Sequence, residues 1–376
     1  MQRFLALFFC ILRSKKIFSI DKKKYVIFDC VNSDILSKIL PKDQTYVLSA
    51  RSSKINTILI NFKTIIFVLK NIFLRSIQLN YFISYLKQID PKYVITTIDN
   101  SLNFSILTKY FENKIKFIAI QNATRGDFYE NTSGYNKLLY FTNYIGMSDF
   151  DHDLMKKKNI VVKNFIALGS LRNSFYKNFK YPKINSKKKN YDICLISKHI
   201  FRNGLPINDS HSNAIFKIIK FLARYIKKNK KTIIIQSKSK EGNLVEKKFY
   251  EQAFLNTNYK IRWKDNTNHN SYESIAFSSL VVGAPSTLLR EASIYPNVKI
   301  ICFNSEKKEK KNPFSETNHI DELTYEKFEK KLNFYNDLGQ ADYAQKTNTD
   351  IDYIMKKDDT VKNFLSLLEK ENTNLI

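Results

Sequence analysis

VVGAPSTLLREASIYPNVKIICFN, residues 281–304, reads as a buried strand, a short polar loop, a helix and a second buried strand. The apolar runs are strand-length and carry no alternation, which suits strands covered on both faces. Ser286 and Thr287 stand where the helix begins, and Glu291 follows one turn along on roughly the same side. A helix start presents unpaired N–H groups and partial positive charge, so it attracts phosphate, and two hydroxyls there add donors. A carboxylate one turn on can accept from sugar or ribose hydroxyls. Simple helix capping by Ser or Thr with an acid in the first turns fits the same letters.

The same design recurs on both sides. YVIFD (25–29), TYVLS (45–49), KYVITTIDN (92–100), KFIAIQN (116–122), LYFTNYIGMS (139–148) and NFIALGS (164–170) read as strands. Residues 55–88 carry apolar positions at helical spacing and read as one or two helices, ended by Pro91. YKNFKYPKINSKKKN (176–190) has no apolar period and reads as a basic linker. The alternation then restarts with YDICLIS (191–197), an amphipathic helix over 212–230, KTIIIQSKSK (231–240), YKIRW (259–263) and a short helix over 271–279. The expected architecture is α/β: two Rossmann-like domains facing each other across a cleft, with C-terminal helices. The expected boundaries are 1–175, the linker 176–190, 191–320, and helices over 321–376.

In parallel sheets, ligands sit outside the carboxyl ends of the strands. That singles out Asp99 and Asn100, then Gln121 and Asn122 with Arg125 close behind, in the first half. In the second half it singles out Lys198 and His199 after the first strand and Lys238 after the next. Asp99 is the candidate base for deprotonating a hydroxyl, with Asx-turn capping as the structural alternative. His199 could act in proton transfer or donate to a phosphate. Lys238 and Arg125 could stabilise a leaving diphosphate or simply be solvated. Trp263, the single tryptophan, reads as a packing residue before a stacking one.

The chain has 376 residues, a formal net charge of +27 and 43% hydrophobic residues, enough for two packed cores. Only ten of its 62 basic residues are Arg, and Arg makes most bidentate base and phosphate contacts. Much of the charge therefore reads as Lys on solvated faces of a chain rich in Lys, Asn, Ile and Tyr. The remainder favours anionic partners such as nucleotide diphosphates or an acidic membrane surface. Cys10, Cys30, Cys194 and Cys302 include no C-x-x-C pair, as expected of a reducing cytoplasm. The start, MQRFLALFFCILRSKK, is too short to span a bilayer and lacks a small-residue cleavage site. It reads as a helix packed on the domain or lying on a membrane face. SDFDHD (148–153) imitates the metal-binding D-x-D of another fold, but it opens a segment with an acidic start and a basic end, which is dipole design. No metal or other cofactor is expected.

The pattern S-T-L-L-R-E-A between two buried strands resembles the sugar-nucleotide motif of GT-B glycosyltransferases. With FDCVNSDIL (28–36), VLSARSSKIN (47–56), ITTIDNSLNF (95–104), FIAIQNATR (117–125) and ICLIS (193–197), residues 24–305 resemble the surface-carbohydrate biosynthesis proteins found with bacterial O-antigen and capsule genes. The resemblance implies a donor held mainly by the second domain and an acceptor by the first. Ser286, Thr287 and Glu291, with Lys198 and Lys238, would bind the donor. Asn100, Gln121, Asn122 and Arg125 would meet the acceptor, and Asp99 and His199 would carry the chemistry. Where relatives have Gly after the Gln-Asn pair, this chain has Ala123, which limits close backbone approach.

The expected activity is metal-independent glycosyl transfer from a nucleotide-sugar to a hydroxyl, on a glycan or polyprenyl-diphosphate-linked acceptor at the cytoplasmic membrane face. Transfer of a phosphopolyol from a cytidine nucleotide, and sugar-nucleotide epimerisation, use the same fold. A basic RNA- or anionic-membrane-binding protein is the non-enzymatic rival. It accounts for the charge but not for polar residues recurring after successive strands, and no specific nucleic-acid partner is expected.

Overall fold

A computed structural model describes residues 12–51, 54–125, 139–157, 160–180, 189–265, 269–303, 313–314, 319–320, 324–339, 342–347 and 350–373. The chain forms two compact units. The first holds the described residues up to Asn122 with 139–146 and 151–167. The second holds 123–125, 147–150 and the described residues from Leu168 onward.

The first unit opens with β1 (Lys15–Ile17). Its main sheet contains β2 (Tyr25–Phe28), β3 (Thr45–Leu48), β5 (Tyr93–Thr96), β6 (Lys116–Ile120), β7 (Tyr140–Gly146) and β8 (Val161–Ala167), while β4 (Thr57–Leu59) pairs in parallel with β1. The six strands run parallel in the order β3-β2-β5-β6-β7-β8. Every residue of β2 and β5 is buried, because helices cover both faces and a strand inside needs apolar residues on each. Val26, Phe28, Phe82, Phe104, Phe117 and Tyr144 share one core cluster. Residues 55–88 split into β4 and the helices Phe62–Lys70 and Ile77–Ile89. The break follows the caps: Asn61 accepts from Thr64 N–H and Ser76 from Leu79 N–H, each starting a new helix.

The second unit contains β9 (Tyr191–Ile196), the two-residue strands β10 (Phe201–Arg202) and β11 (Leu205–Pro206), then β12 (Thr232–Gln236), β13 (Asn258–Arg262), β14 (Ser278–Gly283), β15 (Lys299–Phe303) and β16 (His319–Ile320). Its parallel sheet has the order β13-β12-β9-β14-β15-β16. Counted along the chain this is 3-2-1-4-5-6, the doubly wound arrangement in which the connections reverse direction between the first and fourth strands. β10 and β11 form a small antiparallel ribbon around Asn203 and Gly204, both at positive φ, as a tight hairpin turn requires.

The long helix Ser210–Asn229 begins where Asp209 accepts from Ser212 N–H and ends at Lys230 in a left-handed conformation. Helices Tyr325–Asp337 and Thr360–Thr373 complete the unit. Arg290 is wholly buried and donates to the carbonyl of Ile354 (2.8 and 3.0 Å) and to Ser148 Oγ (3.0 Å). Thr360 Oγ1 donates to the carbonyl of Leu168 (2.6 Å). Of the basic stretch 176–190, residues Tyr176–Lys180 form one π-helical turn, and 181–188 lie outside the described residues, as does most of the apolar start. No helix among the described residues is long and apolar enough to cross a membrane.

Candidate functional site

Gly283 closes β14 against β9. A Cβ built there would lie 3.1 Å from the carbonyl oxygen of Ile196, so the absence of a side chain lets the two central strands meet at the reversal point. Beyond their carboxyl ends opens a pocket of about 270 Å³. Three strands adjacent in the sheet supply its floor and sides: Ser197 and Lys198 after β9, Ser237 and Lys238 after β12, and Ser286 and Thr287 after β14. Lys264, Asp265 and His269, following β13, form another wall. Three lysines face one aspartate on that lining, a balance that favours an anion.

Ser286 caps the helix Thr287–Ala292 by accepting from Leu289 N–H (3.2 Å). This uses an oxygen lone pair and leaves the hydroxyl proton to donate, so capping and ligand binding are compatible. Thr287 Oγ1 accepts from Thr124 N–H (2.7 Å) and keeps its own proton in the same way. Lys238 is exposed at the rim. Burial first, then the positive charges of Lys238, Lys240 and Arg172, push the Lys264 ammonium below its ordinary range. His269 is held by Arg172, whose guanidinium donates to Nε2 (3.2 Å), and packs on the Tyr176 ring with centroids 4.3 Å apart.

Behind the pocket lies a buried carboxylate that organises its loops. Glu246, with no exposed surface, accepts from Ser237 Oγ (2.5 Å), Ser239 Oγ (2.5 Å) and Tyr250 Oη (3.1 Å). His199 Nδ1 lies 3.1 Å from Ser239 Oγ. Because Ser239 directs its proton to Glu246, it can only accept from His199, so the proton sits on Nδ1 and Nε2 carries the ring's lone pair when the imidazole is neutral. Burial, and then the charge of Lys238, hold the imidazole below its ordinary pKa of 6.5, which keeps it neutral at pH 7.

Glu291 stands apart from this lining. It is 4% exposed and accepts from Ser170 Oγ (2.5 Å) and Tyr272 Oη (3.2 Å). Burial raises its pKa above the usual carboxylate value, against the smaller lowering effects of Ser170 and Arg172. In the first unit, Asp99 is wholly buried and accepts from Tyr144 Oη (2.7 Å). Asn122 donates to the carbonyl of Thr97, tying the loops after β5 and β6 together beside half-buried Asn100. Gln121 turns instead to Asp151, donating at 2.7 Å, and Arg125 is half-buried. The carboxylates of the D-x-D imitation are engaged separately: Asp151 with Gln121, Asp149 with Lys356 (2.8 Å), and Asp153 with Lys156 (3.7 Å).

Lys198, Lys238, Ser286 and Thr287 are therefore brought to one pocket, with His199 just behind it. Lys264 and Asp265 were legible by the same strand-end rule, since RWKD closes β13. His269 was not, because it lies in a loop with no strand end beside it.

The protein has the GT-B-type fold: two parallel α/β sheets in one chain with C-terminal helices. No family profile matches the sequence, and no curated protein matches it. Among solved structures it is similar to UDP-GlcNAc 2-epimerase from Neisseria meningitidis bound to UDP-GlcNAc, at 11% identity over 93% of this chain and 100% of that one, with a TM-score of 0.57. It is also similar to MnaA of S. aureus in complex with UDP (14% identity, 94% and 98% covered, TM-score 0.56). A third is the wall teichoic acid polymerase TagF (13% identity, 93% and 89% covered, TM-score 0.51).

Proposed function

We propose that this protein is a glycosyltransferase of bacterial surface-polysaccharide assembly that takes its sugar from a nucleotide-sugar. The observation that carries the reading is the pocket at the strand reversal of the second sheet, where Lys198, Lys238 and Lys264 converge with the hydroxyls of Ser286 and Thr287. That position is where doubly wound sheets take nucleotides, and that chemistry suits a diphosphate. The solved structures of like fold that hold UDP-GlcNAc or UDP lend support, as do the surface-carbohydrate motifs of residues 24–305.

In this reading an acceptor hydroxyl attacks the anomeric carbon, the bond from that carbon to the phosphate oxygen breaks, and the nucleoside diphosphate leaves. Lys198 and Lys238 take up the charge that develops on the diphosphate. The hydroxyl proton passes to a base. His199, neutral with its lone pair on Nε2, has the right protonation state, and Asp99 is the candidate from the first unit. Asn100, Asn122 and Arg125 are assigned to the acceptor, with Gln121 positioning their loop. Glu291 is assigned to the donor side, holding Ser170 and Tyr272 in place. No metal is required where lysines compensate the diphosphate. The work is placed on the cytoplasmic face of the membrane, where nucleotide-sugars are made.

The test is a nucleotide screen by thermal shift, followed by product analysis. UDP, CDP or GDP should stabilise the full chain, and Lys238→Ala should weaken that response about tenfold or more, as expected for loss of a charge-assisted contact. Glycosyl transfer releases a nucleoside diphosphate, phosphopolyol transfer releases CMP, and epimerisation returns an altered nucleotide-sugar, so the products separate the three chemistries. No response to any nucleotide would remove the reading.

A further inference from the structure

The first unit carries an apolar surface that its own packing leaves outside. The helix Phe62–Lys70 packs Phe67 against the core with Ile66 and Val68 half-buried, and still leaves a second apolar stripe outside. Buried Thr64 faces inward, accepting from Gln88 Nε2 (2.9 Å) beside Ser84, while Phe62, Ile65 and Leu69 line the outer stripe at i, i+3 and i+7. The following turn adds Phe73, 99% exposed, and Leu74, 71% exposed, before Ile77. Phe18 is 71% exposed, and its carbonyl accepts from the Asn61 side chain (3.2 Å) at the start of the same helix. An exposed run of this kind marks an interaction site rather than scattered surface residues.

Charge identifies the occupant. Between Asp43 and Asp90 the sequence holds six basic residues and no acidic one. Lys63 and Lys70 are exposed beside the apolar stripe. Lys15 and Lys16 are exposed on β1, which pairs with β4 directly ahead of the helix. A second copy of this chain would bring like charges together across the contact. A membrane rich in anionic lipid answers both features: acyl chains receive the aromatic and aliphatic tip, and headgroups receive the lysines. We propose that the helix 62–70 and the turn 71–77 form the membrane-docking surface of the protein, lying in the interface of an anionic bilayer without crossing it.

Co-sedimentation of the full chain with vesicles tests this. Phosphatidylglycerol–phosphatidylcholine vesicles should carry the protein down, pure phosphatidylcholine vesicles should do so weakly, and added salt should release it. Lys63→Gln with Lys70→Gln should weaken binding by about fivefold per charge. Phe73→Ser with Leu74→Ser should weaken it by roughly tenfold or more at every salt concentration. All four positions are at least partly in water, so the variants should fold, and an unchanged melting temperature checks this. Failure of the wild type to bind anionic vesicles, or equal binding by the variants, overturns the proposal. A wild-type dimer that the Phe73–Leu74 variant dissociates would assign the surface to a second copy. A fall in the variant's melting temperature without lipid would assign it to another segment of the same chain. None of these outcomes depends on nucleotide binding.

Discussion

Removing the carboxylate of Glu246 should loosen the wall of the pocket at the strand ends of the second sheet by a calculable amount. The side chain is wholly buried and accepts from Ser237, Ser239 and Tyr250. In Glu246→Ala, Tyr250 keeps a partner, because Ser197 Oγ lies 2.6 Å from its hydroxyl and can receive its one proton. Ser237 and Ser239 lose theirs. A buried hydroxyl without an acceptor costs about 1–3 kcal/mol, so two cost about 3 kcal/mol after partial relaxation. At 2–4 °C per kcal/mol for a unit of this size, the melting temperature should fall by roughly 6–12 °C. Glu246→Gln keeps one accepting oxygen and should lose roughly half as much. Differential scanning fluorimetry of the full chain reads both. The carboxylate that fixed the Ser239 proton, and through it the Nδ1 proton of His199, is then gone, so the imidazole should also titrate differently by NMR. A Glu246→Ala protein melting within about 2 °C of the wild type would refute the idea that this carboxylate holds the loops after β9 and β12.

Glu291 offers a test by pH. Its folded pKa is raised by burial above the unfolded value of 4.5, so its favourable contribution is complete below 4.5 and is lost as pH rises through the folded pKa. Glu291→Gln, which does not ionise, should therefore gain stability relative to wild type as pH rises above 4.5, and urea titrations across that window check it; a constant difference at all pH values would count against a buried ionising carboxyl. Gly169 sits at φ +97°, where an added Cβ would meet the carbonyl oxygen of Lys356 at 2.6 Å. Gly169→Ala should cost about 3 kcal/mol from backbone strain and overpacking together, visible as a lower urea midpoint.

The strands were legible because parallel sheets covered on both faces write themselves as unbroken apolar runs, as in YVIF of β2 and ICLI of β9. The helix start at Ser286 was legible because a capping side chain is a local signal. β4 was hidden inside a helical spacing. Its pairing with β1 joins Thr57 to Lys15, and nothing local to residues 57–59 announces a partner so far back. The pocket followed from the rule that strand ends carry ligands, which placed Lys198, Lys238, Ser286 and Thr287 on one lining. Glu291 shows where the rule stops. Helical spacing put it near Thr287, but its carboxylate is engaged by Tyr272 and by Ser170, 121 positions earlier. Glu246 escaped notice for the same reason, since in sequence it is one of two glutamates on a helix that also carries two lysines.

The bond from Arg290 to the backbone of Ile354 reaches across 64 positions of chain. During synthesis, the guanidinium emerges long before its acceptor does. Until Ile354 leaves the ribosome, a charged group meant for a water-free interior has no carbonyl there to receive it, and leaving such a group unpaired is costly. The surroundings of Arg290 in the second unit are thus completed late, when the short helix Ile351–Ile354 arrives. A chain held at that stage stays open to proteases for as long as the guanidinium waits for its acceptor.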